Sequence, residues 1–302
     1  MKQYVFRCKN VSKVCNSEQI LSNVSMEIEK GYIYGLVGKN GVGKTSIIRV
    51  ICGLLVNDTG SIELFGNNEN FQKERQRISS LIDSPNLYEN MTARENMNLA
   101  RIQRGIPGEK CIDENLRLVG LNNVGRKKVK DFSLGMKQKL AIALALMNSP
   151  EFLILDEPIN GLDVISIKQI RDLIIDINKK KGTTILISSH ILSELSFVAN
   201  KYIFMDKGTI INEVDSQELN DICKKYIHIK VRDVERAAII LERDLNIKNY
   251  KITSQESIRI YDDLDTEKII YVLSKNNIGI KECMHVNESI EDYLSNLIGE
   301  VS

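Results

Sequence analysis

The sequence predicts an α/β fold followed by a smaller α+β unit, and three observations carry that expectation. Tyr32–Val37 reads as a buried strand running into Gly38-Lys39-Asn40-Gly41-Val42-Gly43-Lys44-Thr45, and Ser46–Ile51 reads as a helix leaving it, closed by Gly53. Phe152–Asp156 and Thr183–Ser189 are unbroken apolar strands separated by helical sequence, the pattern of a parallel sheet covered on both faces. After about residue 220 the texture changes to short strands and amphipathic helices in the order βαββαβ.

The loop after the first strand matches G-x-x-x-x-G-K-[ST], the phosphate-binding P-loop. Its glycines let backbone N–H groups converge on phosphate oxygens without Cβ interference, and the helix N-terminus adds a favourable dipole. Lys44 would reach the terminal phosphates and the Thr45 hydroxyl would ligate Mg²⁺. Gly38, Lys39, Asn40, Gly41, Val42, Gly43, Lys44, Thr45 and Ser46 are therefore the expected nucleotide contacts. The apolar strand at Phe152 ends in Asp156-Glu157-Pro158, which puts a carboxylate at the C-terminal end of a parallel strand, where open α/β sheets bind ligands. Asp156 would hold the metal and Glu157 would polarise the attacking water. The expected class is a P-loop NTPase with a mixed sheet, an antiparallel β subdomain and a helical subdomain.

The remaining elements fill that plan. Residues 3–9, 24–30 and 60–66 read as short strands of an antiparallel sheet beside the P-loop strand. From about 84 to 150 the pattern is helical, with Thr92 as a cap and Lys137–Met147 strongly helix-favouring. The expected domains are 1–220 for the nucleotide site and 221–302 for the small α+β unit. In the latter, strands are expected over Tyr226–Val231, Tyr250–Thr253, Ile258–Tyr261 and Ile280–Val286. Helices are expected over Val234–Leu245, Thr266–Lys275 and Ser289–Ile298.

Composition narrows the functional classes. Of 302 residues, 41 are basic and 40 acidic, so the strongly basic footprint of a nucleic-acid binder is absent and no nucleic-acid partner is expected. Six cysteines lie far apart with no C-x-x-C pair, which fits a reduced cytoplasmic setting. Met1–Arg7 lacks the apolar core of a signal peptide, and the best apolar stretch, Leu140–Met147, is too short to span a membrane.

In this order the motifs resemble the ATP-binding subunit of an ABC transporter over about residues 1–215. Phe132-Ser133-Leu134-Gly135-Met136-Lys137-Gln138 resembles that family's signature sequence, and the resemblance implies that Ser133 and Gly135 meet the γ-phosphate held by a second subunit. Asn160-Gly161-Leu162-Asp163 resembles the D-loop at the dimer interface, and His190 matches the switch histidine that contacts the γ-phosphate. The resemblance thus implies ATP and Mg²⁺ as cofactors, a second ATP-binding subunit forming a homodimer, and a separate transmembrane permease. It also implies a location at the inner face of the cell membrane.

Two departures mark this chain. Leu81–Thr92 resembles the Q-loop region, but Asp83 stands where the family usually has Gln; an acidic residue there resembles the bacitracin- and lantibiotic-type export and immunity ATPases. Asp83 is accordingly a candidate metal contact, and Leu87-Tyr88 a candidate permease contact. Near the N-terminus, Cys15 falls where the family stacks an aromatic ring on adenine, leaving Tyr4 or Phe6 to compensate. Two other readings stay open at this point: a soluble ABC-type ATPase acting on ribosomes or DNA, and a regulatory subunit that binds ATP with little turnover.

Overall fold

Unbroken apolar runs build the centre of the molecule, and short polar turns set its edges. The computed structural model describes residues 2–83, 86–223, 226–262 and 264–286, together with Tyr293 and Leu297. Ser84 and Pro85, and the expected helix over Ser289–Ile298 apart from Tyr293 and Leu297, lie outside the described residues. Contacts divide the chain into two units, one ending at Ser216 and one beginning at Gln217. No helix among the described residues is long and apolar enough to cross a membrane.

The first unit opens with β1 (Tyr4–Cys15), β2 (Glu18–Glu29), β3 (Ile33–Val37), α1 (Lys44–Cys52) and β4 (Thr59–Leu64). Next come α2 (Phe71–Arg75), β5 (Ile78–Leu81), α3 (Ala93–Gln103), α4 (Lys110–Leu118) and α5 (Leu134–Leu146). It continues with β6 (Phe152–Asp156), α6 (Val164–Lys181), β7 (Thr184–Ser189), α7 (Leu192–Leu195), β8 (Lys201–Asp206) and β9 (Thr209–Asp215).

Strands β2, β1 and β4 form an antiparallel sheet in that order. The β1–β2 turn places Asn16 at φ 50° and Ser17 at φ 67°, the paired positive values of a tight hairpin turn whose twist matches its strands. The expected strands over 3–9 and 24–30 are only the base of this hairpin. Lys9 and Asn10 carry β1 onward with exposed side chains, and register shifts around Val11 break the alternation that marks a strand in sequence.

The second sheet has the order β5-β6-β7-β3-β8-β9, parallel except for β9. Every residue of β3, β6 and β7 is buried, as strands covered on both faces require. Their parallel register brings Val37, Asp156 and Ser189 to one edge of the sheet. That edge is the site. Helix α1 ends at Gly53 in the left-handed region (φ 75°), where the following amides close on the Arg49 and Val50 carbonyls. In α3, Thr92 and Glu95 form a reciprocal capping box, with bonds of 3.2 and 2.7 Å.

The chain then passes through α8 (Ser216–Ile222). The second unit contains β10 (Tyr226–Val231), α9 (Val234–Leu245), β11 (Tyr250–Ser254), β12 (Ser257–Ile260), α10 (Thr266–Lys275) and β13 (Ile280–Val286). Its four strands form an antiparallel sheet, β11-β12-β10-β13, with the βαββαβ connectivity of ferredoxin-like units. Alternate residues Ile227, Ile229 and Val231 face Ala237, Leu241, Ile269 and Leu273 in a core of its own. Helices α9 and α10 start on Asp233 and Asp265, whose carboxylates accept from backbone N–H groups in the first turn.

Candidate functional site

The P-loop is held from both sides of its strand. Gly38 N–H donates to Ser189 O at the end of β7 (3.4 Å). A Cβ on Gly38 would lie 2.4 Å from Met205 O, and Gly43, at φ 108°, has Ile20 O where a Cβ would stand. Helix α1 starts at Lys44 with no side chain capping it, so its first-turn amides stay directed at the loop, where an anion would be favoured.

Lys44 is buried, at 6% relative exposure, and a buried ammonium needs partners. Its Nζ donates to Gly38 O (2.6 Å) and Lys39 O (3.0 Å) and lies 3.3 Å from Glu157 Oε1. Next along the helix, Thr45 Oγ1 donates to Asp156 Oδ2 (2.7 Å). Glu157 follows directly in the left-handed region at φ 47°, which turns its side chain back toward the P-loop. Its Oε2 lies 2.9 Å from His190 Nδ1, while Oε1 is buried and makes no hydrogen bond among the described residues, Lys44 meeting it as an ion pair only.

One residue of this cluster was not foreseen from sequence. Ser188, wholly buried in β7, donates its hydroxyl hydrogen to Asp156 Oδ1 and accepts from the Glu157 N–H (2.8 Å). The available signal was a polar residue, Ser188, in a run otherwise apolar through Ile187. Thus Lys44, Thr45, Asp156, Glu157, Ser188 and His190, drawn from two strand ends and one helix, form one hydrogen-bonded and ion-paired set. Anionic oxygens would meet an ammonium and helix amides there, with carboxylates behind them.

Ser133 and Gly135 belong to a different neighbourhood. Ser133 caps α5, its Oγ accepting from Met136 N–H (3.3 Å). Gly135 packs against α6 so closely that a Cβ would come within 2.4 Å of Ser166 Oγ. Ser166 is itself tied to Asp163, which accepts from its N–H (2.9 Å) and its hydroxyl (2.7 Å). These bonds hold the Asp163 carboxyl below its ordinary range. Around them Leu134, Val164 and Ile165 are exposed at 49%, 82% and 72%.

The other residues singled out in the sequence lie as follows. Asp83 does not join the Thr45–Asp156 pair: its carboxylate meets Arg49 Nη2 at 2.9 Å on α1, with the side chain 66% exposed. Phe6 is fully buried in the core and has no free face to offer a base. Tyr4 is covered by the Arg7 guanidinium, 5.1 Å from its ring centre. Cys15 is the last residue of β1, half-buried beside the hairpin turn. Of the Leu87-Tyr88 pair, Tyr88 is exposed and Leu87 half-buried; the Tyr88 backbone is clipped by buried Asn96, which accepts from Tyr88 N–H (2.9 Å) and donates to Tyr88 O (3.1 Å).

Comparison with known proteins points to one family. A family profile described as ABC transporter matches residues 21–160. The chain is 37% identical over 298 residues to the bacitracin transport ATP-binding protein of Bacillus licheniformis, covering 98% of this chain and 97% of that protein. It is 42% identical over 231 residues to a lantibiotic transport ATP-binding protein of Streptococcus pyogenes, covering 76% of this chain and all of that one. Among solved structures, an ATP-binding cassette crystallised as a dimer with ADP and phosphate superposes with a TM-score of 0.62 at 25% identity, over 70% of this chain and 98% of that one. The protein cbiO1 from Clostridium perfringens, described as part of an ABC transporter complex, gives a TM-score of 0.68 at 23% identity over 81% of this chain and 97% of that one, a likeness of fold. With a P-loop, a carboxylate-ended strand and a histidine joined at one sheet edge, the chain belongs to the ATP-binding subunits of ABC transporters and is an ATPase of that family.

Proposed function

We propose that this chain hydrolyses Mg²⁺–ATP in a composite site shared by two copies and thereby drives a separate transmembrane permease that exports a peptide antibiotic or confers immunity to one. The observation that carries the site assignment is the joined set of Lys44, Thr45, Asp156, Glu157 and His190 at the P-loop edge. Gly38–Ser46 would wrap the phosphates with backbone amides, and Lys44 would exchange its carbonyl partners for phosphate oxygens. Thr45 and Asp156 are suited to Mg²⁺. Among the described residues no group of three or more His, Cys, Asp or Glu could cage a metal, and Mg²⁺ asks for only one or two protein oxygens, taking the rest from phosphates and water. When bound, the ion would neutralise charge developing on the phosphates. Glu157, with Oε1 unbonded, would orient the attacking water, and His190 would steady Oε2 and reach the γ-phosphate.

Ser133 and Gly135 would face the nucleotide of the second copy. Their separation from the P-loop set and the exposed apolar rim of Leu134, Val164 and Ile165 support that reading. The cargo class rests on the bacitracin and lantibiotic transport relatives, and the membrane-face location rests on the permease. Exposed Tyr88 on its clipped loop is the proposed permease contact. The test compares ATP turnover of wild type and Glu157→Gln, each with and without a co-expressed membrane subunit. Loss of the water-orienting carboxylate is expected to slow turnover by about 10²- to 10⁴-fold while ATP binding persists. Equal, slow rates for both proteins with that subunit present would sink the hydrolytic assignment.

A further inference from the structure

Of the six residues joined at the P-loop edge, Ser188 alone has no place in the reading above. It lies directly across from Asp156 in the parallel register of β6 and β7, with no exposed surface. A hydroxyl carries one hydrogen and two lone pairs. Here the hydrogen goes to Asp156 Oδ1, and one lone pair receives the Glu157 N–H at 2.8 Å.

The two bonds act on different groups. The first fixes the rotation of the Asp156 carboxylate: with Oδ1 held by Ser188, Oδ2 is the oxygen beside Thr45. The second holds the peptide of Glu157, whose φ of 47° is a conformation that a non-glycine residue keeps only when its surroundings enforce it. Both bonds meet at one atom, so neither carboxylate can shift without disturbing the other.

We propose that Ser188 is a positioning residue for ATP hydrolysis: its single buried hydroxyl presents Asp156 Oδ2 to the metal position and sets the backbone from which Glu157 reaches the water. The inference rests on the assignment of Asp156 to Mg²⁺ and Glu157 to water made above. It adds a residue that neither the P-loop nor the strand-end carboxylates reveal. Ser189, next in the chain, acts locally instead, accepting from Ile191 N–H at 3.0 Å.

The test uses the full chain and displacement of a fluorescent ATP analogue, first in EDTA and then in Mg²⁺, for wild type, Ser188→Ala and Ser188→Thr. Removing a residue that orients a metal-binding carboxylate is expected to leave metal-free ATP affinity within about twofold and to cut the Mg²⁺-dependent gain about tenfold, with Ser188→Thr recovering most of it. Should Ser188→Ala not fold, Ser188→Cys fills the same space with a weak donor and carries the same comparison. A variant that keeps the wild-type Mg²⁺ gain overturns the proposal. So does equal loss of affinity with and without Mg²⁺, the mark of a merely structural residue. A wild-type chain with no Mg²⁺ gain overturns the assignment of Asp156 itself, a result distinct from either.

Discussion

The two motif-bearing regions of the first unit are built in opposite ways. Around the P-loop, Lys44, Thr45, Asp156, Ser188 and His190 each find a partner inside the chain. Around the signature, Ser133 and Asp163 are spent on helix caps, Gly135 on a close approach to Ser166, and three apolar side chains stand in solvent. A region whose side chains mostly find partners within the chain can be assembled by folding alone. A region that leaves apolar surface out gains by meeting another surface. The contrast separates a half that binds from a half that is presented.

Three experiments press on that contrast. Val164→Asp puts a charge at the most exposed apolar position of the presented half; ATP-dependent association in analytical ultracentrifugation is expected to weaken by about 2 kcal/mol while monomer ATP affinity is unchanged. If affinity for ATP fell instead, the two halves would not be separable. Ser133→Ala removes the α5 cap and is expected to lower stability by about 1 kcal/mol, read as a shift of a few degrees in thermal melting. The smallest effect lies at the far end of β6 from Asp156. Glu151 is held at about 2, down from its ordinary 4.5, first by the Arg77 hydrogen bond and then by Lys30. A carboxyl depressed in the folded state adds stability above its unfolded pKa, and that contribution is lost as pH falls from 4.5 to about 2. Melting followed over that interval should drop less steeply in Glu151→Gln, with solvent screening keeping the difference small.

Sequence made the inner half readable because its chemistry sits in short segments. Gly38–Thr45 and Phe152–Glu157 announce a site by residue type and spacing, and the apolar runs of β3, β6 and β7 announce the sheet that aligns them. What escaped was whatever depends on a partner distant in sequence. Asp83 pairs with Arg49, 34 positions away in the chain, and no local pattern names that cation. Ser188 became visible only once strand register set it beside Asp156. The β8–β9 hairpin, turning at Lys207 (φ 44°) and Gly208 (φ 76°), went unread because only one of its strands is an apolar run. Phe6 looked available for stacking until burial removed both of its faces.

The ammonium of Lys44 also sets how ATP affinity should be understood. Two carbonyls and a carboxylate already surround it, so in the proposed site a phosphate would have to displace an intramolecular rival present at a high effective concentration. Measured affinity then reports the margin between phosphate and that rival, smaller than the grip on phosphate itself. Because the rival carboxylate belongs to Glu157, the displacement also releases the group proposed to orient water. If the proposed roles hold, occupancy and readiness for hydrolysis would turn on one exchange of partners.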